Sequence, residues 1–418
     1  MTAPTRTVRL TAPLDPLLTQ VAGRIALGAA SRIRVGRLDV QLPDGSRRSF
    51  GERDSDIRAE LHIHDMQALK RLLVGGGVGG GEAYVDGLWS SPDLVGLISL
   101  AVANRHALAL SKGWWRIPAR IARTAGHRRN RNTKSGSKRN ITAHYDLGND
   151  FYRLWLDETM TYSSAVFATP EQSLADAQRN KYRIIAERAG LEPGRHVLEI
   201  GTGWGGFALY AAGELGCHVT TLTISQAQHD LARERIAAAG LDDRVSVQLR
   251  DYRDIEGTYD AVVSIEMLEA VGAEYYDDYF AAVSRALKPG GRASIQVITF
   301  PHDAYLAQLR GANWIQRYIF PGGVLPSLAA IESSLEGTDL LLTGVRDIRD
   351  SYALTLKAWR EVFFAKIDEV RAMGFDDRFI RMWDYYLSIS EAGFRTGMTQ
   401  DLQIAFERSR ARIRTQGS

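Results

Sequence analysis

Apolar and polar positions switch between two periods along this chain, and each switch marks an element. Leu14 to Ala30 carries apolar residues at helical spacing, whereas Ile33 to Leu42 alternates and stops at Pro43-Asp44-Gly45, which predicts a strand and a hairpin turn. Ile57 to Ile63 alternates again, and Met66 to Leu73 returns to helical spacing. The run Gly75-Gly76-Gly77-Val78-Gly79-Gly80-Gly81 reads as a connector or a place of close helix packing. It lacks the Lys-Ser or Lys-Thr that would close a phosphate loop. With an amphipathic stretch from Leu94 to Leu108, residues 1–110 form an expected small α+β domain.

From Val197 onward the pattern becomes short β-branched runs separated by helices. Val197 to Gly206 predicts a buried strand, a glycine-rich turn at Gly201, Gly203, Gly205 and Gly206, and the start of a helix whose N–H groups face the turn. Strands follow at Cys217 to Thr223, Val245 to Leu249 and Tyr259 to Glu266, with a helix from Gln226 to Ala239. Leu287 to Arg292 reads as a turn into a further strand, Ala293 to Thr299. Beyond it, helices are expected over Ala304 to Tyr318, broken by Pro321-Gly322-Gly323, then over Leu354 to Met373 and Asp376 to Ile389. Gly393 to Gly397 separates these from a last strand, Leu402 to Phe406. Thr223 and Gln228 stand where a dinucleotide site would carry an acid for the ribose, and Asp251-Tyr252 follows the third strand.

Composition and charge narrow the chemistry. A chain of 418 residues, 45% hydrophobic, can bury a core in each of two or three domains. Cys217 is the only cysteine, so no intrachain disulfide exists and a reducing cytoplasm is the expected home. No apolar run of membrane-spanning length and no signal-type N-terminus is present, so a soluble or peripheral protein is expected. Residues 1–139 carry 23 Lys and Arg against 11 Asp and Glu, concentrated in a basic linker at 111–139 that begins with Trp114 and Trp115. A solvated linker is one reading. Docking on the anionic inner face of the cell membrane is the other, and it suits the segment better than nucleic acid, for which stacking motifs are lacking. His62 and His64 share one strand face without the further ligands a metal needs, and no G-x-S-x-G elbow occurs.

The order of strands and the Leu287-Lys288-Pro289-Gly290-Gly291 run resemble the class I methyltransferases that bind S-adenosyl-L-methionine. Three further stretches are similar to the cyclopropane-fatty-acid synthase family: Ala143 to Tyr152 with Met160-Thr161-Tyr162-Ser163, Leu222 to Gln228, and Glu266 to Gly272. The resemblance implies a Rossmann-like seven-stranded α/β domain over residues 140–418. Within it an acyl-binding helical lid is expected at about 300–350, and the N-terminal domain would make lipid or dimer contacts. It further implies that Tyr162, Ser163, Gly201, Thr202 and Gly203 hold the methionine part of the cofactor. Thr223, Ile224 and Gln228 would hold its ribose, with Asp251 and Tyr252 bordering the adenine.

In that family a bound bicarbonate serves as base, held by Cys, Glu, His and Tyr. The Glu and Tyr correspond to Glu269 and Tyr352, but Ser164 replaces the Cys and Gln296 the His, which puts bicarbonate in doubt. Glu266 stands where the family usually has Gly, and it would bring a protein carboxylate near the vacated place or serve as a paired strand-end acid. The expected function is C-methylation of cis double bonds in unsaturated phospholipid acyl chains. Either a cyclopropane would form or a methylene, the latter being the precursor of a methyl branch made with a flavin-dependent reductase partner. A small-molecule methyltransferase remains open, as does a lipid-binding module that has lost catalysis, the latter through Ser164, Gln296 and Ser390.

Overall fold

The computed structural model describes residues 16–108 and 147–410, which fall in two compact units, 1–119 and 120–418. The basic segment 111–139 and the His144-Tyr145-Asp146 stretch lie outside the described residues.

In the first unit, α1 (Pro16–Ala30) precedes the hairpin of β1 (Arg37–Gln41) and β2 (Arg47–Gly51), and β3 (Arg58–Ile63) joins β1 in parallel. Helix α2 (Gln67–Val85), the short β4 (Trp89–Ser90), α3 (Leu94–Ala103) and α4 (Arg105–Leu108) complete it around a sheet of order β2-β1-β3-β4. Val40, Ala59, Ile63, Leu69, Ala83 and Leu100 form its core. The glycine run is no connector here: it lies inside α2, which kinks at Gly76. A Cβ at Gly79 would fall on the carbonyl of Arg71, so close packing is what the run provides. The expected helix at 94–108 breaks at Asn104. That side chain is spent on the backbone N–H groups of Arg34 and Val35 and on the carbonyl of Val35. His62 and His64 bond Glu60 and Ser90.

The second unit begins with α5 (Asn149–Trp155) and α6 (Leu174–Ala189) and then alternates strand and helix: β5 (His196–Ile200), α7 (Gly206–Gly213), β6 (His218–Thr223), α8 (Gln226–Ala238), β7 (Val245–Leu249), β8 (Tyr259–Ile265), α9 (Tyr276–Ala286) and β9 (Leu287–Thr299). Short helices α10 (His302–Gln308), α11 (Trp314–Tyr318) and α12 (Leu328–Ser333) lead to β10 (Leu340–Asp347). Helices α13 (Arg349–Ala365), α14 (Ile367–Ala372) and α15 (Asp377–Arg395) and strand β11 (Gln400–Arg408) close the chain. The seven strands run in the order β10-β11-β9-β8-β5-β6-β7, and β11 alone runs antiparallel to the rest. This is the expected α/β sheet, class I methyltransferase in topology. Its order reverses between β8 and β5, and ligands of such sheets bind outside the carboxyl ends at that point.

Several boundaries differ from the sequence pattern. The turn at 287–292 is a bulge inside β9, since Leu287 already pairs with Tyr259 and pairing resumes between Ala261 and Arg292. The helix expected over 304–318 is two helices. Asn313 and Gln316 exchange side-chain and backbone hydrogen bonds, a capping box that starts α11 afresh. Trp314, Val324 and Ile331 of this segment are buried. Leu306 and Leu309 are exposed. Helix α15 runs on through Gly393 to Arg395, and β10, an edge strand with little burial, was not evident from the pattern.

One close approach fixes how the glycine turn enters α7. A Cβ on Gly206 would collide with the Tyr182 hydroxyl and lie 2.9 Å from Thr161 Oγ1 and 3.0 Å from the Thr159 carbonyl. Gly206→Ala should therefore destabilise the fold by about 1–3 kcal/mol, measured as a lower denaturant midpoint. An unchanged midpoint would mean that the Thr159–Thr161 loop yields freely.

Candidate active site

The carboxyl ends of β5, β6, β8 and β9 carry two polar clusters. The first surrounds the glycine turn. The Thr221 hydroxyl lies 2.6 Å from Glu199 Oε2 and 2.7 Å from Thr202 Oγ1. Thr223 donates to Gln228 Oε1 at 2.9 Å, while Ile224 is partly covered beside them. Gly203 has φ of 51°, and a Cβ there would meet no atom within 4 Å, so the turn borders open space. Further along, the Asp251 carboxylate is gripped by Arg253 at 2.7 Å and caps that residue's own turn. The Tyr252 ring packs edge-on to Tyr279, and its buried hydroxyl has no hydrogen-bond partner.

Ser163 and Tyr162 face a different set of groups. Ser163 Oγ accepts from Lys181 Nζ at 2.6 Å, and the Tyr162 hydroxyl meets that of Tyr386 at 2.8 Å. The Tyr162 ring lies among Tyr152, Trp155 and Trp359, with centroids 5.3 to 5.6 Å away. This aromatic wall continues through Tyr352, which stacks on Phe394 at 4.2 Å. Aromatic faces of this kind attract positive charge without offering a nucleophile.

The second cluster is built on Glu266, the residue that follows β8. Its φ is 49°, a left-handed conformation shared by only one other non-glycine residue among those described, Met160. Such a backbone costs a side-chain-bearing residue about 1–2 kcal/mol, which explains why glycine suits the position and why a glutamate there calls for a reason. Oε1 accepts from the Ser164 N–H at 2.7 Å and from Gln296 Nε2 at 2.9 Å, while Oε2 accepts from the Tyr352 hydroxyl at 2.6 Å. The carboxylate thus spans the side chains and backbone of Ser164, Gln296 and Tyr352. Glu266 lies deep in the fold yet keeps part of its surface uncovered. Glu269, next to it, accepts from the Ile298 N–H at 2.5 Å through Oε1, and its Oε2 is buried without a partner. Burial, together with the charge of Glu266, pushes Glu269 up to about 8.

Sequence reasoning missed three members of this cluster. Asp401 and Gln403 of β11 are fully buried beside Gln296: Gln296 Nε2 donates to Asp401 Oδ2 at 3.1 Å, and Gln403 donates to Gln296 Oε1 at 3.1 Å. Lys181 on α6 is the only fully buried cation among the described residues, and burial lowers it to about 8 despite Glu266, Asp157, Asp401 and Glu199 nearby. The signal was available: polar residues at alternate positions of an otherwise apolar strand, Asp401 and Gln403, point to one interior face.

The family model described as mycolic acid cyclopropane synthetase matches residues 132–404. A tuberculostearic acid methyltransferase of Mycobacterium tuberculosis is 44% identical, the match covering 82% of each chain. A cyclopropane-fatty-acyl-phospholipid synthase of Escherichia coli is 36% identical over 84% of this chain and 88% of its own. A solved mycolic acid cyclopropane synthase, complexed with SAH and CTAB, superposes with a TM-score of 0.60 and 29% identity over 65% of this chain and 98% of its own.

Burial raises Glu199 from 4.5 to about 8. Its protonated form is favoured by folding, so its contribution to stability is complete below pH 4.5 and is lost as pH rises through about 8. Unfolding free energy should fall across this window, and Glu199→Gln should flatten the fall by on the order of a few kcal/mol. Denaturant titrations at pH 5 and pH 8 test this, and equal slopes in both proteins would place Glu199 in a wetter setting.

Proposed function

We propose, from the premise that this chain belongs to the mycolic acid cyclopropane synthetase family, that it methylates the cis double bond of unsaturated phospholipid acyl chains with Glu266 as base. The observation that carries this reading is a carboxylate on a left-handed backbone, fastened by three donors beside an aromatic wall. S-adenosyl-L-methionine supplies an electrophilic methyl group. Tyr162, Ser163, Gly201, Thr202 and Gly203 bind its methionine part, Thr223, Ile224 and Gln228 its ribose. Tyr252 borders the adenine, with Asp251 acting through the turn that it caps.

Methyl transfer to the alkene, with the carbon–sulfur bond broken and the cofactor leaving as its neutral thioether, would place a positive charge on the acyl chain, which the faces of Tyr352, Trp359 and Phe394 stabilise while water is excluded. Glu266 then removes a proton from the added carbon. Direct loss closes a cyclopropane, whereas loss after a hydride shift leaves a methylene branch on the open chain. The methylene product is favoured by the higher identity to a relative named as a methyltransferase than to one named as a cyclopropane synthase. A flavin-dependent reductase would then complete the branch. Bicarbonate fits poorly as the base, because the groups that would hold it already donate to Glu266. The aromatic wall also argues against a polar small-molecule acceptor. Peripheral attachment through the basic segment 111–139 suits a membrane-embedded substrate, and no helix of the described residues is long and apolar enough to cross a membrane.

The reading is tested by incubating the protein with methyl-labelled cofactor and cis-monounsaturated phospholipid vesicles. Mass spectrometry should show one added carbon, and proton NMR should separate methylene from cyclopropane. No labelled lipid would sink it. Gly203→Val should abolish cofactor binding in calorimetry at a stability cost of about 1–2 kcal/mol, because the side chain enters the open space beside the turn; normal affinity would put the cofactor elsewhere. Glu266→Gln should slow turnover about 10²- to 10⁴-fold while cofactor binding persists. Glu266→Gly should recover part of that activity on addition of bicarbonate, which the wild type does not need. Full activity of Glu266→Gln would return the residue to a structural role.

A further inference from the structure

Gln296 holds two carboxyl groups at once. Its side-chain nitrogen donates to Glu266 Oε1 at 2.9 Å and to Asp401 Oδ2 at 3.1 Å. Its oxygen is committed to Gln403, so the amide cannot turn over without placing its acceptor against two acids. Two carboxyls that share one donor nitrogen repel each other when both are charged, so the pair is more stable holding one proton. Their surroundings decide which holds it. Glu266 receives three donors from separate elements, Ser164, Gln296 and Tyr352, and its surface is partly open. Asp401 is wholly buried, receives Gln296 alone through its side chain, and leaves Oδ1 without any partner. Donors favour the ionised form and burial without them favours the neutral one.

We propose that Asp401 is the proton-holding partner of Glu266: it stays protonated while Glu266 is ionised, and its hydroxyl donates to the Glu266 carboxylate. Asp401 is thus a positioning residue that keeps the base charged and aimed at the acyl chain. This rests on Glu266 being the base, as proposed above. The titratable and charged groups facing Asp401 are Glu266 and Glu269 from beyond β8, Lys181 from α6 and Tyr352 from α13. Burial and then the two glutamates raise Asp401 well above the ordinary aspartate range, and Lys181 opposes them in part. Proton transfer balances simply. Glu266 takes the proton from the added carbon, whose electron pair stays in the product, and the pair, then doubly protonated, returns one proton to solvent through the open side of Glu266.

The experiment measures the acid limb of kcat/KM on vesicles of cis-monounsaturated phosphatidylglycerol for the full-length chain and its variants. Asp401→Leu removes the donor, so Glu266 should protonate more readily and the limb should move up by about one pH unit. Asp401→Asn, neutral and of the same shape, should bring the limb back toward the wild-type position. An infrared difference spectrum of wild type against Asp401→Asn at pH 7, without substrate, should show loss of a protonated-carboxyl band. A limb unmoved in Asp401→Leu, or a difference spectrum showing only loss of an ionised carboxylate, overturns the proposal. Glu266→Gln in the same series separates the two failures. If Glu266→Gln is inactive while Asp401→Leu behaves as wild type, only the pairing fails; if Glu266→Gln is active, the reading beneath it fails.

Discussion

The Glu266 carboxylate, held by donors from three distant parts of the chain, is the constraint around which the catalytic half is arranged. A carboxylate taken from water costs several kcal/mol unless it is hydrogen bonded or paired. Here a loop N–H, a strand amide and a helix hydroxyl supply the compensation. Each is delivered by a different element, so β9, α13 and the 162–166 loop must all reach their places before the group is satisfied. The left-handed backbone of Glu266 adds a further cost, which those contacts offset.

Charge is organised around the same point. Four acids, Glu199, Glu266, Glu269 and Asp401, lie deep in the fold, and among the described residues Lys181 is the one fully buried cation near them. One lysine cannot neutralise four carboxylates at low dielectric, so protons must do the rest, and burial raises each acid accordingly. Lys181 also donates to Ser163, whose neighbour Ser164 donates to Glu266, so the buried cation and the Glu266 carboxylate are linked through one loop.

The parallel strands β5 to β8, the helices between them and the glycine turn were legible in the sequence because their signals are local. A buried strand is a short β-branched run, and a turn needs glycine where φ is positive. Where local signals conflicted with packing, packing decided. The glycine run 75–81 became helix because its small residues let α2 pass close to itself, and the 304–318 segment divided where Asn313 could cap a new helix. The edge strand β10 escaped notice because it is mostly exposed and so carries no strong alternation.

The site divides in the same way. Glu266, Glu269, Tyr352, Gln296 and the candidate cofactor residues were singled out from motifs, each contained within a few residues of sequence. No such stretch contains the contacts of Gln296 with Asp401, 105 residues away, or of Ser164 with Glu266, 102 residues away. The sequence by itself determined the strand and helix units, the glycine turn and the presence of an unusual glutamate at a position suited to glycine. Only the tertiary structure decided what that glutamate touches. Hydrogen bonds reach about 3 Å, and which side chains come that close depends on how β8, β9 and β11 lie together in the sheet.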